Sequence, residues 1–582
     1  MKTISAVIAL SVLAAVFPAA LNSDAIVITR AMLASTISEV FVETDSVVVE
    51  LEVGVPDFAA FRNLLPDEIY ERLGNEPEPW GERLRRFTGE NLIVRADGGS
   101  PLSGRLVELE VRRRIERDQV TGEPLAVQPD DAEPVVYARL RYLLSGRPER
   151  LSIAPPRVVD GENVTANIGF VTYHRGLHVN DFRYLGQEET LVLDWDDPWY
   201  SQFENRNLWR QFRSPIATFI YVEPFEVRKE IVVRPRDLQR WVDLGLEENE
   251  VITVDEQEEI KRRVVEFLNE RSPVTIDGEP AEGVLDRVHF IYRTLRTSGV
   301  IQPPRDLDIV SATLGVIFVY PRTELPEEVT MTWELFGDRI DRVPSSATDE
   351  AGSLPYFLSP DDNVLRWQNF LTNPTVPGLI EVQEPAQRSG ILLIAAVLGA
   401  VAAAAVALRL MRGKKRGQAV SRRLTIGAVV AFIIAIIALA LWIRASRTTD
   451  EDAAVVVGGV LENIYRSFDY RDESTIYDLL ARSTAGDLLT DVYLETRRGL
   501  ELANQGGARA RVKEVEVLEA THEPLRGEQG FRSRAKWNVS GSVGHWGHIH
   551  QRVNQYEADL TLQVLDGAWK ITSLNVLQEE RL

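Results

Sequence analysis

Two uninterrupted hydrophobic runs, residues 391–408 and 424–443, divide this 582-residue chain and constrain its topology more than any other feature. As helices, each is long enough to cross a hydrocarbon core of about 30 Å. The loop between them, residues 409–423, carries Arg409, Arg412, Lys414, Lys415, Arg416, Arg422 and Arg423 and no acidic residue. An excess of Lys and Arg in a short loop marks the cytoplasmic side of a membrane. The expectation is therefore a two-helix transmembrane hairpin, integral to the lipid bilayer. It would place both large flanking segments on the extracytoplasmic face of a bacterial inner membrane.

The N-terminus points the same way. Lys2 precedes an apolar stretch over residues 4–17, followed by Pro18 and small residues, which is the pattern of a secretory signal peptide over residues 1–25. Cleavage is expected after Ala20 or Ala25; retention as an uncleaved anchor would export the same segment. With a net charge of −22, the surface is acidic, which excludes nucleic acid as a partner bound through a basic face. There are no cysteines, so disulfides, thiolate metal sites and cysteine nucleophiles are excluded. Disulfide-free exported domains suit a bacterial envelope, or periplasmic, setting. A chain of this length divides into three or four domains.

Comparing the chain with itself exposes a duplication. With a shift of 180 residues, Phe41-Val42-Glu43 falls on Tyr221-Val222-Glu223, Phe61 on Trp241, and Leu64 on Leu244. The spacing Trp80, Leu84, Phe87 recurs as Ile260, Val264, Phe267, and Val94-Arg95-Ala96-Asp97-Gly98 as Val274-Thr275-Ile276-Asp277-Gly278. Residues 26–205 and 206–385 thus read as two copies of one unit. Each opens on a strand with period-two alternation, such as Val47, Val49, Leu51 and Val53. A short helix follows, capped in the second copy by Asp255 with Glu258 three residues on. An Asp-Gly turn leads to further strands, and the pattern predicts an antiparallel β-sandwich with a helical insertion. At the junction, Asp194-Trp195-Asp196-Asp197-Pro198-Trp199-Tyr200 has two readings. The acids form a solvated turn with the aromatics in an inter-domain seam, or they hold Ca²⁺ and the aromatics anchor a partner.

Residues 452–582 follow a different grammar. Helical periodicity over 455–468, 473–480 and 485–502 gives way to four strand-like stretches at 508–520, 531–543, 548–565 and 568–577. Helices followed by an antiparallel meander predict an α+β domain. Through Asn463-Ile464-Tyr465, Arg471-Asp472-Glu473 and Asp566-Gly567-Ala568-Trp569-Lys570-Ile571, this segment resembles the nuclear-transport-factor-2-like (SnoaL-like) superfamily. The resemblance implies helices packed on a curved sheet to form a cone with an internal pocket. It brings no catalytic residues with it, because the superfamily includes enzymes, binding proteins and assembly modules.

In the third strand, Tyr556, Ala558, Leu560, Leu562 and Val564 alternate with polar residues, so even positions face the core. Carried back without a bulge, that face holds Asn554, Arg552, His550, His548 and Trp546; with Tyr556 and Trp537 these are the candidate ligand-pocket residues. His548 and His550 can converge on a divalent metal such as Zn²⁺, with a third ligand from His522, Glu523 or His545. Competing readings are a hydrogen-bonded structural network, and a bulge at Gly544 or Gly547 that reverses the parity. No serine nucleophile elbow, phosphate loop, dinucleotide fingerprint or His-Glu-x-x-His sequence is present. The sequence therefore favours a non-enzymatic, membrane-anchored binding or assembly scaffold with envelope protein partners. The alternatives are metal handling through His548 and His550, and an enzyme working in the C-terminal pocket.

Overall fold

The computed structural model describes residues 30–116, 129, 132–156, 166–246, 250–293, 298–374, 378–382, 391–415, 422–445, 450–470, 472–494, 509–526, 529–545 and 548–582. The signal-peptide segment lies outside the described residues.

One strand arrangement occurs twice. In the first unit the larger sheet runs, in spatial order, Gly104–Arg113, Pro134–Leu143, Ser46–Gly54, Thr36–Val42, Ile168–His174 and Leu177–His178. In the second it runs Val284–Arg293, Thr313–Pro321, Glu226–Val233, Ala217–Glu223, Val343–Asp349 and Gly352–Leu358, with Ser298–Val300 added at the edge. The first hairpin keeps its register across copies: Val42 pairs with Val47, and 180 residues on Val222 pairs with Val227. A smaller sheet faces each large one. It is built on Ile93–Ala96, Arg150–Ala154 and Glu189–Val192 in the first unit, and on Val274–Ile276, Glu328–Thr332 and Val364–Gln368 in the second.

The larger sheets are mixed where the alternation predicts antiparallel ones. Thr36–Val42 runs parallel to Ile168–His174, and Ala217–Glu223 parallel to Val343–Asp349. A parallel neighbour requires a long crossover. The chain supplies it by passing through the smaller sheet before returning, which a residue-by-residue pattern does not record.

Val47, Val49, Leu51 and Val53 are fully buried, while the residues between them are only partly so. They share a core with Leu151, Ile153 and Leu191 of the smaller sheet and with Phe61 and Phe87 of the helical stretch. In the second unit Ile260, Val264 and Leu268 lay one face of the helix Val254–Arg271 into the equivalent core. That helix starts two residues earlier than its acids suggest. Thr253 is the N-cap, and the Glu256 carboxylate accepts from the Thr253 backbone N–H (2.8 Å) and hydroxyl (2.7 Å). In the first unit the corresponding helix, Trp80–Arg86, is shorter and widens into a π turn over Phe87–Asn91.

The Asp-Gly pairs occupy matching turns. Asp97 and Gly98 have φ of 48° and 68°, and Asp277 and Gly278 have 53° and 82°. Two consecutive left-handed residues make a type I′ turn, which glycine enters without steric cost at its second central position. Both aspartates also accept backbone N–H bonds from the end of the neighbouring strand of the smaller sheet, Asp97 from Arg150 and Asp277 from Glu327 and Glu328. Replacing either Gly98 or Gly278 with Ala should cost about 1–2 kcal/mol. Urea unfolding of the two variants should give similar losses, and a loss in one alone would deny the equivalence of the turns.

The hydrophobic runs form a helix pair, Ile391–Lys415 and Arg422–Ala445, in close contact where Gly399 meets Ala431 and Ala435. Along both helices many apolar side chains, among them Ile394, Val401, Ile433 and Ile437, are more than half exposed or nearly so. The expectation of a transmembrane hairpin is nonetheless corrected: among the described residues no helix is long and apolar enough to cross a membrane. The membrane and transmembrane-helix description, the bilayer as an integral partner, and the inner-membrane location with both domains outside lose their support with it.

The C-terminal domain sets Asp450–Arg466, Glu473–Ser483 and a helical stretch at 487–494 against a sheet in the order Arg509–Ala520, Gly530–His545, His548–Leu565, Ala568–Arg581. It is tied to the segment before the helix pair. Asn463 donates to the Ile380 carbonyl (2.8 Å) and accepts from the Ile380 N–H (2.7 Å), and Val382 packs on Gly459. The ring of Phe225 in the second unit stacks on Tyr470 at 4.9 Å.

Candidate functional site

The C-terminal pocket is the site that the sequence singles out. Pairing of the two long strands is continuous from Gly530 with Gln563 to His545 with His548, so no bulge intervenes. The backbone positions 548, 550 and 552 therefore share parity with Asn554 and Tyr556. Trp546, and the side chains of His548, His550 and Arg552, lie outside the described residues, as does the His545 side chain. Among the described residues no cluster of three His, Asp or Glu side chains could hold a metal.

Trp537 and Tyr556 do come together, stacked at 5.6 Å, and line a cavity with Tyr465, Phe468, Leu488, Ile571 and Leu574. Buried beside them, Asn554 donates to the Tyr556 hydroxyl (3.1 Å), which in turn donates to Glu579 Oε1 (3.2 Å). Burial raises the Glu579 carboxyl above its usual range, partly offset by the Tyr556 bond, and raises the Tyr465 and Tyr556 phenols as well. The space left is about 20 Å³ as seen by the centre of a water-sized sphere. That admits about one water, far below the several hundred Å³ of a small-molecule site. The described interior around Trp537 and Tyr556 is a packed polar-aromatic network.

A larger site lies where the two β units meet. Arg234 is 1% exposed, and its guanidinium forks onto both oxygens of Asp197 (2.9 and 3.0 Å) and both oxygens of Asp237 (2.6 and 2.9 Å). Asp197 belongs to the first unit and Arg234 and Asp237 to the second. Arg339 reaches back to Asp194 (2.9 Å), and Arg236 donates to the Asp196 carbonyl (3.0 Å). The acidic junction is therefore not a Ca²⁺ loop; its aromatics Trp199 and Tyr200 lie in the seam between the units, and of its acids Asp196 alone is exposed. Its carboxylates at 194 and 197 are held by guanidinium groups. Burial alone would push the Asp197 carboxyl up; the hydrogen bonds and charge of Arg234, with Arg236 and the Trp199 N–H, bring it below its usual value.

Above this lock runs an open groove of about 560 Å³ on the same measure, lined by Trp199, Tyr200, Trp209, Arg210, Arg213, Arg339, Arg342 and Phe357 among others. Its arginines are stacked on its aromatics. Guanidinium carbons lie 4.1 Å (Arg210 on Trp199), 4.5 Å (Arg213 on Trp209), 3.4 Å (Arg339 on Tyr200) and 4.5 Å (Arg342 on Phe357) from the ring centres. Such stacking fixes the plane of the fork and leaves N–H edges to point elsewhere. Arg210 is buried and donates to the carbonyls of His178 (2.9 Å) and Trp199. Burial, and the neighbouring charge of Arg234, push it down to about 10.

At the floor, Ser201 Oγ accepts the Asp194 N–H (2.9 Å) and lies 2.8 Å from His174 Nδ1. Burial pushes His174 down to about 4, which keeps it neutral at pH 7. Among the described residues its Nε2 has no hydrogen-bond partner, and none of their carboxylates orients the ring as a catalytic base requires. His174 and Ser201 are both almost completely buried, and the pair reads as a packed structural contact.

Comparison of the chain with protein-family models and with curated proteins finds no match to either. The site thus defines at most a class: a duplicated β protein with an aromatic and arginine-lined groove between its units. Sequence reasoning singled out Trp199 and Tyr200 but missed Arg210, Arg213, Arg339, Arg342 and Phe357. The interleaving Trp209-Arg210-Gln211-Phe212-Arg213 is a usable signal for the near half. Nothing local marks Arg339, Arg342 and Phe357 as its complement.

Proposed function

We propose that this chain is a non-enzymatic binding and assembly protein whose working surface is the groove between its two β units. The observation that carries this reading is the groove itself. It has the volume of a ligand site, it is walled by rings and guanidinium groups held in fixed orientation, and the buried Arg234 lock braces it from below. The absence of an oriented nucleophile and base among its described lining residues argues for binding over turnover. The C-terminal domain is read as a second assembly module of nuclear-transport-factor-2-like build. Its near-filled interior favours contact through its outer surface over uptake of a small ligand.

Because the chain has no native cysteine, a single introduced one gives a unique attachment point. Phe357→Cys carrying a benzophenone photocrosslinker should yield adducts in the protein's native surroundings that Arg262→Cys, on an exposed helix face, does not. Identical adduct patterns from the two positions would remove the groove as the working surface.

A further inference from the structure

We propose that the inter-unit groove binds a polyanion bearing two or more phosphate or carboxylate groups. The inference rests on the binding role proposed above and names its ligand class. Four arginines, Arg210, Arg213, Arg339 and Arg342, converge on one groove, against the two lining acids Asp338 and Asp341. Of the four, only Arg339 forms an ion pair within 4 Å among the described residues, with Asp194. Arg213 makes one long contact, to Gln202 Oε1 at 3.4 Å, and Arg342 is held by stacking on Phe357.

Arg210 supplies the second observation. It is 8% exposed, its two Nη groups are spent on neutral carbonyls, and no described carboxylate lies within ion-pair distance. Asp181 attracts it only from beyond ion-pair distance, so the buried cation is under-compensated, and an anion lodged beside it offsets the remaining cost. The rest of the molecule does not supply such an anion by long-range attraction. At a net charge of −22 it repels polyanions, so their capture must come from short-range, directional contacts. Stacked guanidinium forks provide those contacts, because two parallel N–H donors match two oxygens of one phosphate or carboxylate. Two such exposed forks, Arg213 on the segment that leads into the second unit and Arg342 within that unit, flank the groove, so a ligand with two anionic groups can engage both.

The probes are tripolyphosphate and citrate, titrated calorimetrically into the full chain at low ionic strength. At least one should bind, and the Arg213→Ala/Arg342→Ala variant should weaken it by about tenfold or more. Arg213→Lys/Arg342→Lys, which keeps the charge and loses the fork, should also bind more weakly than the unsubstituted chain. Arg262→Ala, which removes an exposed arginine elsewhere, should bind unchanged. Preference between the two probes assigns phosphate or carboxylate. Equal binding by the double-alanine variant, or no binding of either anion, overturns the polyanion assignment. If the crosslink from position 357 still forms in that case, the groove remains a binding surface for another chemistry. If it is also lost, the binding role itself falls.

Discussion

Replacing Arg234 with Met should destabilise the two-unit body by about 3–5 kcal/mol, because it strands two buried carboxylates. Asp237 is 3% exposed and Asp197 8%, and between them they accept four hydrogen bonds from the one guanidinium. Burial disfavours the charge on Arg234, yet Asp237 and Asp197 more than reverse this and raise it above its ordinary value. A triple variant, Arg234→Met with Asp197→Asn and Asp237→Asn, removes the stranded charge and should recover most of the loss. Chemical denaturation followed by tryptophan fluorescence measures both. A loss below about 1 kcal/mol for the single variant would mean that water reaches the seam, and that the lock does not brace the groove.

The same pair predicts an acid dependence. The folded Asp197 carboxyl is depressed, so its stabilising contribution is present above the unfolded value near 3.8. It is lost as pH falls through the lower folded value. In Arg234→Met burial becomes the dominant influence on the carboxyl, so that part of the acid limb should vanish or reverse, the variant losing less than the native chain as pH falls.

The second large effect is alkaline. Lys229 is fully buried in the second unit, with Nζ donating to the carbonyl (2.6 Å) and hydroxyl (2.9 Å) of Ser272, the C-cap of the helix Val254–Arg271. Phe318 and Tyr320 are its other close neighbours, at 4.6 and 5.8 Å. Burial pushes the amine down from 10.5 to about 7. Below pH 7 the folded and unfolded chains both carry the proton. Between about 7 and 10.5 the Lys229 site binds more protons in the unfolded chain than in the folded one, so its contribution to stability rises with pH across this window. The full rise is at most about 5 kcal/mol, at 1.36 kcal/mol for each pH unit. Lys229→Met removes the titrating group, so the stability difference between the native chain and this variant should shift in favour of the native chain from pH 7 to 9.5. Parallel profiles for the two proteins would show that Ser272 and the helix C-terminus keep the ammonium charged in the fold.

Much of the local structure is legible in residue patterns because it depends on near neighbours. Period-two alternation marks Val47 to Val53 as one face of a strand, since a buried sheet face admits little else. Asp97-Gly98 and Asp277-Gly278 mark turns because few residue pairs accept two positive φ values in succession. The four long C-terminal strands follow from the same alternation, with boundaries within a few residues of those observed. The helix cap was misplaced by two residues because several acids follow one another and only the backbone decides which one folds back on Thr253.

The groove was not legible. Asp194 to Tyr200 reads as a solvated acidic turn because the cations that neutralise it, Arg234 and Arg339, lie far along the chain. The hydrophobic runs at 391–408 and 424–443 illustrate the opposite risk. Their composition predicts helices, and helices form, but the step from apolar helix to transmembrane hairpin is not sustained over the described residues.

By itself the sequence determined the turns, the strands and the helix-then-sheet order of the C-terminal domain, each set by spacing within about twenty residues, and the duplication, set by the recurrence of such local patterns 180 residues on. The tertiary structure alone decided that the first strand of each unit has a parallel neighbour from more than a hundred residues away. It alone decided that Arg234 closes the seam, and that arginines more than a hundred residues apart meet over rings of both units in one groove. Charges and rings separated in sequence become a site only when chain crossovers bring them within a few ångströms, and crossovers leave no local signature.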